Sequence, residues 1–327
     1  MVNFFSLKLA VIAGLSISVI SPTFGQAFPV KPIRIIVPNP PGGGTDTMAR
    51  LVAQKVGPAL GQQMIVDNRP GGGGRIAAEL VLRSPKDGYT IFQASVSPLI
   101  TGPALYPDLT NYDPIKDFAP ITLNATTAYI LASHPSVPVR TVKELLQIAR
   151  SKKDALTYGS TGPGSSAHLG MKLFESMTKV SLLHVPFKGS SQAMVSITSG
   201  EIDIMFGNYQ ATLGQVRAGR LRALAQSSPT RSSLAPDIPT VSESGVPGFE
   251  MRQIYSVVAP AGTPPEVIRR LNQEIGKHLP TEDVKKLMAA QGIEIVVSTP
   301  EELGKLLSSQ LAIWTKVIRE AGIKAGS

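Results

Sequence analysis

The distribution of apolar and polar positions divides the chain into alternating short and long patterns. Runs rich in β-branched residues, Ile33-Arg34-Ile35-Ile36-Val37, Met64-Ile65-Val66, Tyr89-Thr90-Ile91-Phe92 and Leu156-Thr157-Tyr158, are each followed by a turn and then by a segment of helical spacing. After the first run, Met48, Leu51, Val52, Val56 and Ala59 fall on one helical face, with Thr45 or Asp46 placed to cap its start. After Tyr158 the same arrangement returns: Ser165 or Ser166 can cap a helix whose apolar face is Leu169, Leu173, Phe174 and Met177. Such alternation predicts βαβ units around a parallel sheet. Two extended segments closed by proline, Tyr129 to Pro135 and Tyr255 to Pro260, bracket a middle region and predict the two crossovers between a pair of lobes. Helices are predicted over Glu266 to His278, Glu282 to Ala290 and Pro300 to Ala321, with Pro264-Pro265 opening the first.

The N-terminus follows a different pattern. Lys8 precedes an uncharged apolar run from Leu9 to Ile20, about 12 residues and too short to span a bilayer. Small residues Gly25 and Ala27 then stand at the −3 and −1 positions of a cleavage site, which predicts a secretory signal over residues 1–27 and an exported, periplasmic chain. The rival reading of this stretch is an N-terminal core helix or an uncleaved anchor.

Charge and composition narrow the partners. Thirty-two Lys and Arg against 23 Asp and Glu give +9, and loss of residues 1–27 removes only Lys8, leaving +8, a field that attracts anions. The basic residues are scattered and aromatics are 6% of the chain, so the stripe of cations with stacking rings that nucleic acid requires is missing. With no cysteine, disulfides, thiolate metal sites and thiol nucleophiles are excluded. His134, His168, His184 and His278 show no metal-ligand spacing, and no serine lies in Gly-x-Ser-x-Gly, so neither metal nor cofactor nor catalytic group is expected.

The candidate chemistry sits in three glycine-rich stretches between a strand and a helix: Pro41-Gly42-Gly43-Gly44-Thr45-Asp46, Gly71-Gly72-Gly73-Gly74-Arg75, and Thr161-Gly162-Pro163-Gly164-Ser165-Ser166. Glycine lets backbone N–H groups approach a ligand, and the positive end of the following helix favours an anion. A carboxylate is therefore the expected ligand, with Thr45, Thr161, Ser165 and Ser166 adding orientable hydroxyls. The alternative is that these glycines serve only tight strand-to-helix turns. Arg75 and Lys188 are candidate partners for the carboxylate, Phe187 for an apolar body, and Asn208, Ser95 and Ser97 stand at predicted strand ends facing the same side. Asp46 is read either as a ligand contact or as a cap. His168, three residues after Ser165, either buttresses the turn or forms a nucleophile–base pair with it, the latter describing a secreted hydrolase; a third reading is a ligand sensor that serves a signalling partner.

The ordered motifs carry a specific resemblance. Pro29-Val30-Lys31-Pro32-Ile33-Arg34-Ile35-Ile36-Val37-Pro38, Pro41 to Asp46, Asn68-Arg69-Pro70-Gly71-Gly72-Gly73-Gly74, Asp87-Gly88-Tyr89-Thr90, Thr161 to Leu169, Pro186-Phe187-Lys188-Gly189, Arg217 to Ala225 and Ala259 to Pro264 follow family order, and the chain resembles the Bug-type solute-binding proteins of tripartite tricarboxylate transporters over essentially its whole length. The resemblance implies an α/β, two-lobed periplasmic binding protein fold of type II, with two crossover strands and a ligand cleft between lobes: 28–127 in lobe 1, 128–252 in lobe 2, and 253–327 returning to lobe 1. It implies a monomer without cofactor that captures a small carboxylate by lobe closure and delivers it to membrane permease subunits. The turns at Pro41 to Asp46 and Thr161 to Ser166 would grip the carboxylate from opposite sides. The sequence departs from the family where Gly72 stands for a frequent alanine, Arg75 for a non-basic residue, and Gly207 for an aspartate before Asn208. The last change implies room for a bulkier ligand, so an aromatic acid joins the dicarboxylates as a candidate.

Overall fold

The computed structural model describes residues 28–151 and 154–323; the signal expected over 1–27 lies outside the described residues. The β-branched runs form strands where expected: β1 (Ile33–Val37), β2 (Met64–Asn68) and β3 (Thr90–Ala94), separated by α1 (Gly44–Leu60) and α2 (Arg75–Leu82), with a short α3 (Gly102–Leu105) after β3. The next strand, β4 (Phe118–Ser133), is 16 residues long, far longer than the predicted Tyr129 to Pro135 segment. There follow α4 (Val142–Ser151), β5 (Thr157–Ser160), α5 (Ser166–Thr178), β6 (Leu183–Pro186), α6 (Ser190–Ser199), β7 (Ile204–Asn208), α7 (Tyr209–Arg217) and β8 (Arg222–Gln226). The chain then returns through β9 (Arg252–Pro260) to α8 (Pro265–His278), α9 (Glu282–Ala289), β10 (Glu294–Ile295) and α10 (Pro300–Glu320).

The strands run in the order β2-β1-β3-β9-β4-β7-β5-β6, with β8 and β10 also paired to β4. Two parallel groups, β2-β1-β3 and β6-β5-β7, are joined through antiparallel β9 and β4. β4 belongs to both halves: Phe118 to Ala128 pairs with β9, whereas Tyr129 to Ser133 pairs with β7. The βαβ units are as the alternating pattern predicts, but the sheet is mixed rather than parallel, because β4 and β9 run antiparallel between the two groups, as suits the two-lobed α/β architecture. The first half of β4 was harder to anticipate because Pro120 interrupts it, and the register with β9 shifts just there, between Pro120 and Thr122, as strand prolines require a bulge or an edge.

Burial explains the helices. On α1, Met48, Leu51, Val52 and Val56 are the buried face, packed into a core that includes Ile33, Ile35, Val37 and Leu271 of α8. On α5, Leu169, Leu173 and Phe174 join a second core with Phe206, Phe249 and, from α10, Leu307 and Trp314. Burying each such side chain is worth about 1.5–3 kcal/mol. α10 opens with a capping box, Thr299 and Glu302 bonding each other's backbone N–H, and it packs on β4 while Ser176 of α5 reaches Glu320 near its far end at 3.3 Å. Among the described residues no helix is long and apolar enough to cross a membrane.

Candidate functional site

The first turn leads from β1 into α1. Gly43 is the N-cap and no side chain caps the helix, so the capping role read for Thr45 or Asp46 is not the one observed. Asp46, only 2% exposed, instead folds back: its Oδ2 accepts the Gly42 N–H at 2.9 Å and Arg50 Nε at 2.9 Å, and its Oδ1 accepts Asn68 Nδ2 at 3.0 Å. Asn68 also donates to the Asn39 carbonyl at 2.9 Å, which pins both ends of the turn. Burial pushes the Asp46 carboxyl up, but the hydrogen bonds from Arg50, Gly42 and Asn68 and the Arg50 charge outweigh it and hold the group below its ordinary value. Asp46 is thus occupied with the turn itself. The N–H groups of Gly44, Thr45 and Asp46 have no partner among the described residues.

Gly44 and Thr45 border a cavity of about 400 Å³ lined also by Asn39, Pro40, Pro41, Gly43, Thr127, Tyr129, Asn208, Gln253 and Tyr255. No lining side chain is ionised. Tyr255 lies so close to α1 that a Cβ on Gly44 would overlap its hydroxyl oxygen, so glycine is required there by space rather than by backbone angle. Asn208, the last residue of β7, stands opposite Tyr129 in register and brings the second half of the molecule to the cavity. Burial raises the phenols of Tyr129 and Tyr255, while the neighbouring Ser166 and Thr127 hydroxyls respectively pull the other way. Both rings remain neutral hydrogen-bonding groups at physiological pH.

Ser166 belongs to the turn between β5 and α5, so Tyr129 stands between the two turns. Ser165 is the N-cap of α5, its Oγ accepting the His168 N–H at 3.3 Å. The His168 ring does not address Ser165: its Nδ1 accepts the Gly164 N–H at 2.9 Å. The Gly162 N–H goes to Ser160 Oγ at 3.0 Å and the Ser165 N–H to the Gly162 carbonyl at 3.2 Å. Thr161, Ser166 and Ala167 therefore carry the unpartnered amides of this turn among the described residues. Phe187 lies beside it, its N–H on the Ser160 carbonyl at 2.9 Å, while Lys188 is exposed. Gly164 faces Leu105 of α3.

The third glycine stretch lines a separate cavity of about 310 Å³ with Pro98, Gly102, Tyr106, Leu109, Thr110 and Tyr112. Arg75 donates there to the Leu109 carbonyl at 3.0 Å and lies 3.7 Å from Glu79. Ser97 donates to the Gly73 carbonyl at 2.8 Å, Gly74 packs against Pro38 and Pro98, and Ser95 is buried after β3. This cavity shares no lining residue with the first. The room expected beside Gly207 is already filled, since a Cβ at that position would overlap Thr212 Oγ1. Thr127, Gln253, Tyr129 and Tyr255 were not read as site residues; the signal was their period-two spacing, which puts each pair on one face of its strand, with Thr127 opposite Gln253 in register.

The comparisons with known proteins agree with this architecture. At 38% identity over 320 residues, 96% of this chain and 95% of the relative, the chain is similar to the "UPF0065 protein in tcbD-tcbE intergenic region" of Pseudomonas sp. (strain P51). It is 34% identical to Protein BugT of Bordetella pertussis, covering 97% of this chain and 98% of that one. Among solved structures, an R. palustris protein with adipate aligns with a TM-score of 0.72 at 33% identity, covering 91% of this chain and 99% of that one. MatC from Rhodopseudomonas palustris with bound malate aligns with a TM-score of 0.68 at 29% identity, covering 89% and 100%. The family model described as "Tripartite tricarboxylate transporter family receptor" matches residues 48–323, taking in the second turn and beginning two residues past Asp46. The chain belongs to the tripartite tricarboxylate transporter receptor family.

Proposed function

We propose that this chain is an extracytoplasmic receptor that closes two lobes, 28–127 with 253–327 and 128–252, on a small dicarboxylate and delivers it to the permease subunits of a tripartite tricarboxylate transporter. The observation that carries this reading is the cavity beside Tyr129: no ionised side chain lines it, yet unpartnered amides of the α1 N-terminus border it and those of α5 lie just beyond the same tyrosine. Helix N-termini and hydroxyls hold anions without a cation. Gly43, Gly44 and Thr45 are assigned to one carboxylate, and Thr161 and Ser166 to the approach from the other lobe, with Asn208 between them. The adipate and malate held by the two structural relatives make a dicarboxylate the first choice. The hydrolase reading has no support, since Ser165 Oγ and His168 Nδ1 are each engaged with a backbone N–H.

Isothermal titration of the protein lacking residues 1–27 against adipate, malate, benzoate and a neutral sugar tests the reading. Saturable binding of adipate or malate is expected, with a raised melting temperature in the same samples. Binding of the sugar with none of the acids overturns it.

A further inference from the structure

His168 and His184 lie stacked beneath the second turn, ring centroids 4.3 Å apart and planes within 8°, with the Tyr158 ring 4.8 Å from His184 and 6.5 Å from His168. Each imidazole leads to one glycine amide of the turn. His168 Nδ1 accepts the Gly164 N–H directly. His184 Nε2 lies 2.7 Å from Ser160 Oγ, which accepts the Gly162 N–H. Drawing these two N–H groups inward leaves the Thr161, Ser166 and Ala167 amides as the outward set. An Nδ1 that accepts carries no proton, so this arrangement requires neutral His168.

Resting on the reading of this turn as a carboxylate grip, we propose that His168 and His184 are positioning residues that select which amides face the anion, and that His168 does so only as a neutral imidazole. Protonating His168 places a donor against the Gly164 N–H and frees that segment to turn. The surroundings oppose protonation: burial first, then His184, then Lys172 push His168 down to about 4, and burial and Lys172 push His184 in the same direction. The other titratable groups at the stack are Tyr158 on β5 and Glu175, whose carboxylate pairs with Lys172 on α5 at 2.8 Å. Neutral imidazole thus supplies an acceptor under the turn without adding a charge beside the ligand.

The test compares His168→Asn, whose side-chain oxygen can replace Nδ1 and does not titrate, with His168→Leu. Adipate affinity near neutral pH is expected to fall by about tenfold or more in His168→Leu and to stay within about threefold in His168→Asn. As the pH is lowered through about 4, wild type is expected to lose affinity more steeply than His168→Asn; the acid's own protonation is common to both. Equal affinities of wild type and His168→Leu overturn the positioning role, and superimposable pH profiles of wild type and His168→Asn overturn the requirement for neutrality. Amide hydrogen exchange at Gly164 gives a reading without ligand: protection retained in His168→Asn and lost in His168→Leu is expected, and protection unchanged in His168→Leu overturns the proposal by itself. Failure of wild type to bind any acid instead removes the functional reading on which it rests.

Discussion

Assigned one task in the proposed reading, the two turns are built from different materials. The turn at Gly42 to Asp46 is tied by a carboxylate: Asp46 collects Gly42, Asn68 and Arg50 in a charged network. The turn at Thr161 to Ser166 is tied by imidazoles and a hydroxyl, with no ionised group accepting its amides. The difference teaches how an internal acceptor can be reconciled with an anion site. A carboxylate beneath the first turn repels the ligand unless its charge is matched, and Arg50 at 2.9 Å matches it. The second turn avoids the conflict with neutral acceptors, at the cost of acid sensitivity.

The largest expected effect probes the outward side of the first turn. Gly44→Ala forces Tyr255 or the start of α1 to move, and adipate affinity by titration is expected to drop about 30-fold or more, roughly 2 kcal/mol. Wild-type affinity in that variant would remove the α1 N-terminus from the grip.

Acid separates the turns next. Histidines whose folded values are lowered bind their proton less well than in the unfolded chain, so their contribution to stability is whole above the ordinary 6.5 and is lost as pH falls, for His168 toward about 4. Asp46, lowered from an ordinary 3.8, keeps its contribution above that value and loses it only below. Urea midpoints measured between pH 7 and pH 4 are expected to fall, and the fall is expected to shrink in His168→Asn. An undiminished slope in that variant would place the acid sensitivity elsewhere.

Asp46→Ala leaves the Gly42 and Asn68 donors without their acceptor and is expected to cost about 2 kcal/mol in urea unfolding, Asp46→Asn less because an acceptor oxygen remains. Equal losses in both would show that charge, not acceptor geometry, holds the turn. Arg50→Gln is the smallest change: its side chain is 56% exposed, and a loss smaller than that of either Asp46 variant is expected in the same measurement.

Much of this was legible in the sequence because it is local. Glycines beside a hydroxyl, following a β-branched run and preceding a helical face, are adjacent in the chain, and Gly44, Thr45 and Ser166 could be singled out from that spacing. What Asp46 and His184 do depends on partners brought by folding: Asn68 arrives from β2, and Ser160 meets His184 across two paired strands. Tyr129 and Tyr255 read as ordinary strand residues because only the antiparallel pairing of β4 with β9 turns them toward one cavity. Arg75 shows the opposite limit. Its glycine context matches the other turns, yet the nearby Leu109 carbonyl and Glu79 engage its guanidinium in a cavity of its own.

β4 gives the molecule a mechanical property. One hydrogen-bonded strand pairs with β9 at one end and with β7 and β8 at the other, so any rotation of one half against the other must twist it. A paired strand resists such torsion elastically, unlike a loop, which is free to change shape. In the proposed closure β4 would act as a torsion bar, storing a small restoring couple as the halves turn.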